Sequence, residues 1–351
     1  MKTAITKILH CIIFTIPLLS ASCTNVKQSS TEMAKIVPPK ESDIAISPSV
    51  LDGKDSVEKN SVTFTIAVIP DTQGMIHGDK NQTQDHFRTQ MQWLVSKKNH
   101  LNLKFVSHLG DLVENGAIIS EWEAASSIMQ ELDDGEVPYS IALGNHDVDD
   151  LESPESWSGF IDWNDWSHFN TYFPKTRFSK HPWHGGSYPD NTYENNFQIF
   201  EGGGMQFLIL HLRYNMGDDI YKWANRVLKK HSDKRAIIVT HDPYQELQNT
   251  LAKENGNVFM LLGGHHCSRE KQATIANNLG GSYYQIMQDY QGDGPGSWCS
   301  DGEHLTPTAN TRYYTFIPLE NKIEAYTYSP LLHQFEEDES SRFTLDYQMT
   351  P

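Results

Sequence analysis

Five apolar runs in this chain stop abruptly in short clusters of Asp, Asn, Gln, Gly and His: "IPDTQG", "SHLGDLVENG", "ALGNHDVDD", "IIVTHDP" and "LLGGHHC". Each run has the length and composition of a buried strand. Between them lie segments of helical period. "DHFRTQMQWLVSKK" carries Phe87, Met91, Leu94 and Val95 on one face, "EWEAASSIMQEL" is a second helix, and "DDIYKWANRVLKK" sets Ile220, Trp223, Ala224, Val227 and Leu228 at helical spacing behind an acidic first turn. "NFQIF" and "MQFLILHLRY", joined by Gly202-Gly203-Gly204, read as an antiparallel pair, and "RYYTFIPLENKIEAYTY" as a later hairpin. Strands alternating with helices in the first half and strand pairs in the second predict a mixed α/β sandwich in one domain.

In open α/β sheets the carboxyl ends of strands converge on a crevice, so the five clusters are expected to meet there. Each has an ordinary reading when taken alone. Asp71 after Pro70 suits a turn or a cap, Asp111 and Asp147 suit caps, Asn145 suits a left-handed turn, and His146 and His241 suit histidines satisfied by neighbours. Together they assemble carboxylate and amide oxygens with imidazole nitrogens at one set of strand exits, a mixture suited to first-row cations such as Zn, Fe or Mn.

The N-terminus points to export. "MKTAITKILHCIIFTIPLLSASCTN" has a short basic start, an apolar run from Ile8 to Leu19, and small residues up to Cys23. "LLSASC" resembles the lipobox of bacterial lipoproteins, in which the cysteine is acylated; the alternative is plain cleavage near Ala21. The expected organisation is a signal peptide over 1–22, a Lys/Ser/Pro/Asp-rich linker over 23–61 beginning at lipidated Cys23, and a single folded domain over 62–351. That places the chain in the periplasm or at the cell surface, with membrane contact only through its lipid. A formal charge of −17 argues against binding a nucleic-acid duplex, and any anionic substrate has to be drawn in by local cations.

The motifs together resemble the calcineurin-like metallophosphoesterases, whose signature runs D-x-H, G-D-x-x-(D/E), G-N-H-(D/E), a lone His, and G-H-x-H. Here these read "DTQ" at Asp71, "GDLVE" at Gly110, "GNHD" at Gly144, His241 in "VTHDP", and "GHHC" at Gly264, with "PDTQ" similar to the opening of a bacterial branch. The resemblance implies a four-layer α/β/β/α sandwich of two mixed sheets. It also implies two divalent cations and in-line attack of a metal-bridging hydroxide on a small phosphorylated substrate. Asp111 would bridge the cations. Asn145, His241 and His265 would complete one site, while Asp71, Gln73 and Cys267 would hold the other. His146 would be the acid serving the leaving group, oriented by Glu114 or Asp147.

Two positions depart from the family pattern, and both fall on the second site: Gln73 and Cys267 stand where histidines are usual. An amide oxygen in place of an imidazole shifts preference toward a harder cation or weakens binding. Cys267 is either a thiolate ligand or a disulfide partner of Cys299, the other thiol expected in the mature body. His266 and Trp298 are candidates for the substrate cleft, whereas His77 and His108 lie near motifs without matching a position. Two non-catalytic alternatives stay open: a degenerate scaffold that binds a metal or phospho-ligand without turnover, and a glycan-binding lipoprotein suggested by the Trp and Tyr content.

Overall fold

The computed structural model describes residues 62–78, 82–149, 162–266, 271–290 and 309–349. The signal peptide, the linker, Cys23, Cys267, Trp298 and Cys299 lie outside these residues.

Strand β1 (Phe64–Ile69) organises the molecule because it is buried on both faces. Successive side chains alternate, so Phe64, Ile66 and Val68 pack toward a second sheet while Ala67 and Ile69 pack beneath helices. Beside β1 lie β2 (Leu103–His108) and then β3 (Tyr139–Ile141), both in parallel.

The second sheet begins with β4 (His184–Tyr188), β5 (Asn195–Gly202) and β6 (Met205–Leu212), and continues through β7 (Arg235–Thr240) and β8 (Val258–Gly263). Its far edge is β9 (Lys271–Ala276), which pairs with β10 (Ser282–Met287), the neighbour of β8. Strands β6, β7, β8 and β10 run parallel. The chain then returns to the first sheet as β11 (Thr311–Ile317), β12 (Lys322–Ser329), β13 (Gln334–Glu336) and β14 (Phe343–Asp346), antiparallel additions on the other side of β1.

Helices α1 (Gln84–Lys97) and α2 (Ile119–Asp134) cover the outer face of the first sheet, and α3 (Asp218–Lys230) covers the second. This is the helix, sheet, sheet, helix order expected from the sequence. The layer between the sheets is aromatic: Phe64 stacks on Phe316 at 4.6 Å and meets the edge of Phe207, from the opposite sheet, at 5.3 Å. Each such ring, fully buried, stabilises the fold by about 1.5–3 kcal/mol. Polar links also cross this layer, among them His211 Nε2 of β6 to Ser107 Oγ of β2 at 3.1 Å and Ser140 Oγ of β3 to Asn196 Oδ1 of β5 at 2.6 Å.

On α3 the buried stripe is Ile220, Tyr221, Ala224, Val227 and Leu228, with Trp223 at its margin. Tyr221 takes the inward place because it lies three and seven residues from Ala224 and Leu228, and Trp223 instead stacks on Tyr188 of β4. Acidic Asp218 and Asp219 open this helix and Lys229 and Lys230 close it, in accord with the helix dipole. Strand β4, "HGGSY", has no apolar alternation to announce it and forms as an edge paired to β5. Among the described residues no helix is long and apolar enough to cross a membrane.

Candidate metal centre

The parallel strands of both sheets deliver their carboxyl ends to one place. β1 leads to Asp71, β2 to Asp111, β3 to Asn145, β7 to His241 and β8 to His265. The chain leaves three of these strands through left-handed backbone at non-glycine residues, with φ of 41° at Asp71, 49° at Asp111 and 72° at His265. Such conformations cost about 1–2 kcal/mol each and concentrate at functional sites. Two glycines make the close approach possible. A Cβ on Gly144 would lie 2.0 Å from Asp111 Oδ1, and one on Gly264 would lie 2.2 Å from Asp71 Oδ2.

Three donors converge: Asp111 Oδ2 is 3.1 Å from His241 Nε2, and His265 Nδ1 is 3.1 Å from the same nitrogen. His241 Nδ1 faces the main-chain oxygen of Leu109 at 3.0 Å. A carbonyl only accepts, so Nδ1 carries the hydrogen and the Nε2 lone pair is directed into the cluster. Asn145 is buried, and its Oδ1 has no hydrogen-bond partner among the described residues. The loop that carries it is held to Asp111 by the His146 N–H, which donates to Oδ1 at 2.9 Å; an amide oxygen together with two imidazoles and a carboxylate is the donor set of a cation site, so the residues fit the metal that the motifs imply.

The electrostatics point the same way. Burial opposes the positive form of His241, but the carboxylates of Asp111 and Asp71 outweigh it and raise its pKa to about 10. Burial and His241 in turn lower His265 to about 4. Burial works against the Asp111 carboxylate, yet His241 and His146 hold its pKa well below the usual range. Positive charge is therefore what this buried cluster favours, and a divalent cation would supply it while leaving both imidazoles as lone-pair donors.

His146 stands at the rim, its side chain 13% accessible and its Nε2 4.0 Å from Asp111 Oδ2. Its Nδ1 lies 2.8 Å from the main-chain oxygen of Glu114 and 3.6 Å from Glu114 Oε1. Burial lowers the pKa of this ring, but Asp111 and Glu114 together raise it above the ordinary 6.5. Asp147 is placed differently. Its Oδ1 accepts from the main-chain N–H of Leu112 and Val113 at 2.8 and 3.1 Å, and its Oδ2 from that of Gly144 at 2.8 Å. It fastens two loops to each other, and of the two acidic neighbours expected to steer His146 it is Glu114 that lies against the ring.

The calcineurin-like phosphoesterase family model matches residues 64–269 of this chain, more than half its length. The chain belongs to the calcineurin-like phosphoesterase family. This phosphoesterase-family chain is 28% identical over 259 residues to the uncharacterized protein YvnB of Bacillus subtilis (strain 168), a match spanning 70% of this chain and 18% of the relative. Its fold is similar to that of purple acid phosphatase PPD1 from yellow lupin (Lupinus luteus) seeds. The TM-score is 0.52 at 15% identity, over 82% of this chain and 54% of the lupin protein. GAP50, the anchor in the inner membrane complex of Plasmodium, is also similar at 11% identity, with a TM-score of 0.49 over 83% of this chain and 90% of that protein.

Within this family member the second set of expected ligands is more oxygen-rich. Asp71 is buried, and its Oδ1 accepts from the main-chain N–H of His265 at 3.1 Å. Gln73 donates through Nε2 to Asp111 Oδ2 at 3.0 Å, and its buried Oε1 has no partner among the described residues. His266 lies outside the cluster, 46% accessible, with Nε2 3.7 Å from Asp242 Oδ1.

The nearby histidines have structural tasks. His108 accepts from the Gly110 N–H through Nδ1 and meets Thr72 Oγ1 through Nε2, while burial and His241 keep it neutral with a pKa of about 3. His77 meets Glu121, whose other oxygen accepts the N–H groups of Glu114 and Asn115.

Two strand exits went unread in the sequence. After β6, half-buried Tyr214 sets its ring 5.8 Å from that of His265 and 6.2 Å from that of His241. After β10, Asp289 is fully buried. The runs "LILHLRYN" and "YQIMQDY" carry the same signal as the other five, an apolar strand ending in polar residues.

Proposed function

We propose that this chain is a metal-dependent phosphoesterase acting on small phosphate mono- or diesters. The observation that carries the reading is the convergence of His241 Nε2, His265 Nδ1 and Asp111 Oδ2, with the unpartnered Asn145 Oδ1 buried in the loop that the His146 N–H holds to Asp111. Asp111, Asn145, His241 and His265 would hold one cation, and Asp71, Gln73 and Asp111 would contribute to a second. When bound, such cations polarise phosphoryl oxygens and lower the pKa of a coordinated water toward about 7.

The chain's own residues supply the rest. Because the Glu114 carbonyl fixes the hydrogen on His146 Nδ1, the neutral ring keeps its lone pair at Nε2 and the cationic ring holds a second proton there. The Glu114 carboxylate favours that cation, so Nε2 is poised to hand a proton to a departing alkoxide oxygen. Asp147 and the Gly144 approach keep the Asn145–His146 loop in register with Asp111. Tyr214 forms a wall against the two histidine ligands.

The test is turnover of an aryl phosphate and a bis-aryl phosphate after reconstitution with Mn, Zn or Fe. Hydrolysis that Asp111→Asn abolishes supports the reading. Gln73 in a usual histidine position favours the second reading, a binding scaffold without turnover. Tight metal binding with no hydrolysis of either ester under any of these cations would select it. Export with a lipid on Cys23 belongs to the same proposal, resting on "LLSASC". Incorporation of a labelled fatty acid that Cys23→Ser abolishes would support it.

A further inference from the structure

Gln73 leaves the second set of ligands short of a donor, and the fold brings a carboxylate to that side of the centre from a strand outside the recognised motifs. β10 runs parallel to β8 in a register that sets Met287 beside Gly263, and the Gln288 N–H continues the ladder to the Gly263 oxygen at 2.9 Å. Asp289 is therefore carried level with the Gly264–His265 turn. That turn is the one that touches Asp71: the His265 N–H donates to Asp71 Oδ1, and Gly264 leaves room for Asp71 Oδ2. Asp289 is 0% exposed and Asp71 2%. Taking carboxylates out of water is costly, and a bound cation offsets that cost. A third oxygen, Gln73 Oε1, is buried in the loop that begins at Asp71 and has no partner among the described residues.

We propose that Asp289 is a ligand of the second cation, replacing from the end of β10 the imidazole that Gln73 does not provide. The proposal rests on the two-cation reading of the centre and adds a residue to it. It also gives the two halves different chemistry. The first is nitrogen-rich through His241 and His265. The described donors of the second, Asp71, Gln73, Asp289 and the shared Asp111, are all oxygens. Oxygen donors suit harder cations, so the second position favours Mn over Zn relative to the first.

The experiment measures metal content and affinity on the full chain, independently of turnover. Wild type, Asp289→Asn and Asp289→Glu are stripped with chelator, titrated with Mn and separately with Zn, and analysed for bound metal after desalting. Wild type is expected to hold about two equivalents of Mn, and Asp289→Asn about one, with the remaining site at wild-type affinity. Asp289→Glu keeps a carboxylate and should recover the second equivalent with affinity lowered on the order of 10-fold to 100-fold. In wild type loaded with about one equivalent each of Mn and Zn, the low-temperature paramagnetic resonance spectrum should be that of a single Mn site, and Asp289→Asn should release that Mn first.

Two equivalents bound at unchanged affinity in folded Asp289→Asn would overturn the proposal, as would a wild type that binds one equivalent only. Should Asp289→Asn fail to fold, the Glu variant and the wild-type resonance spectrum decide it, since a second Mn no weaker in Asp289→Glu than in wild type overturns it equally. Loss of the second equivalent in a protein that hydrolyses no phosphate ester would uphold the ligand and remove only the enzymatic reading.

Discussion

The main-chain oxygen of Glu114, 2.8 Å from His146 Nδ1, orients the ring more closely than the Glu114 carboxylate at 3.6 Å. Steering by a main-chain atom survives most substitutions at that position. Glu114→Gln should therefore lower kcat by less than about tenfold, whereas His146→Gln should lower it by about 10²-fold to 10⁴-fold. The loss in His146→Gln should be largest for alkyl phosphates and smallest for nitrophenyl phosphate, whose leaving group needs little protonation. Both variants should retain wild-type metal content, because neither residue is a ligand in this arrangement. Parallel measurements of kcat and bound metal check all of this.

Asp147 spends both oxygens on main-chain donors, so its replacement is a matter of loop geometry rather than proton transfer. Asp147→Asn turns an amide nitrogen toward at least one N–H and leaves that buried group unsatisfied, at about 1–3 kcal/mol. Urea unfolding should show that loss. The pH profile of kcat in whatever fraction remains active should coincide with wild type.

The contact between Gly144 and Asp111 makes the smallest side chain a test of the centre. Gly144→Ala places a methyl 2.0 Å from Asp111 Oδ1 and must displace that carboxylate. Cation affinity should fall on the order of 10-fold to 100-fold in competition with a chromophoric chelator. Far-ultraviolet circular dichroism should stay unchanged, because the inter-sheet core is not touched.

His211 sets an acid limit on stability. Burial holds its pKa at about 3 against the ordinary 6.5. Below pH of about 6.5 the unfolded chain takes up a proton that the folded chain refuses. Stability from this residue therefore falls as pH drops from about 6.5 toward 3, at about 1.4 kcal/mol per pH unit. Between pH 7.5 and 5.0, wild type should lose about 2 kcal/mol more than His211→Gln, read from urea unfolding with chelator present in both proteins.

The sequence disclosed what depends on pattern. Apolar runs broken by Asp71, Asp111, Asn145, His241 and His265 give both the strands and the donors, and helical periodicity gives α1, α2 and α3. What it withheld depends on direction and on geometry beyond one segment. Tyr214 and Asp289 join the centre only because β6 and β10 run parallel to β7 and β8, a choice made by long-range packing. Asp147 and Glu114 are alike as residue types near His146, and only the loop fold gives one to main-chain amides and the other to the ring. Tyr221 and Trp223 flank the same stripe of α3, where the neighbouring sheet decides which one turns inward.

The residues proposed to hold the cations come equally from the two halves of the sandwich: Asp71, Asp111 and Asn145 from the first sheet, and His241, His265 and Asp289 from the second. A bound cation would thus be a rivet between layers otherwise held by aromatic packing and by hydrogen bonds such as His211–Ser107 and Ser140–Asn196. Asp71 and His265 meet across 194 positions of chain, so the rivet has nothing to close on until both sheets are built and docked. Metal uptake should be the last event of folding and chelation the first breach in unfolding, with the sheets parting from the strand ends inward.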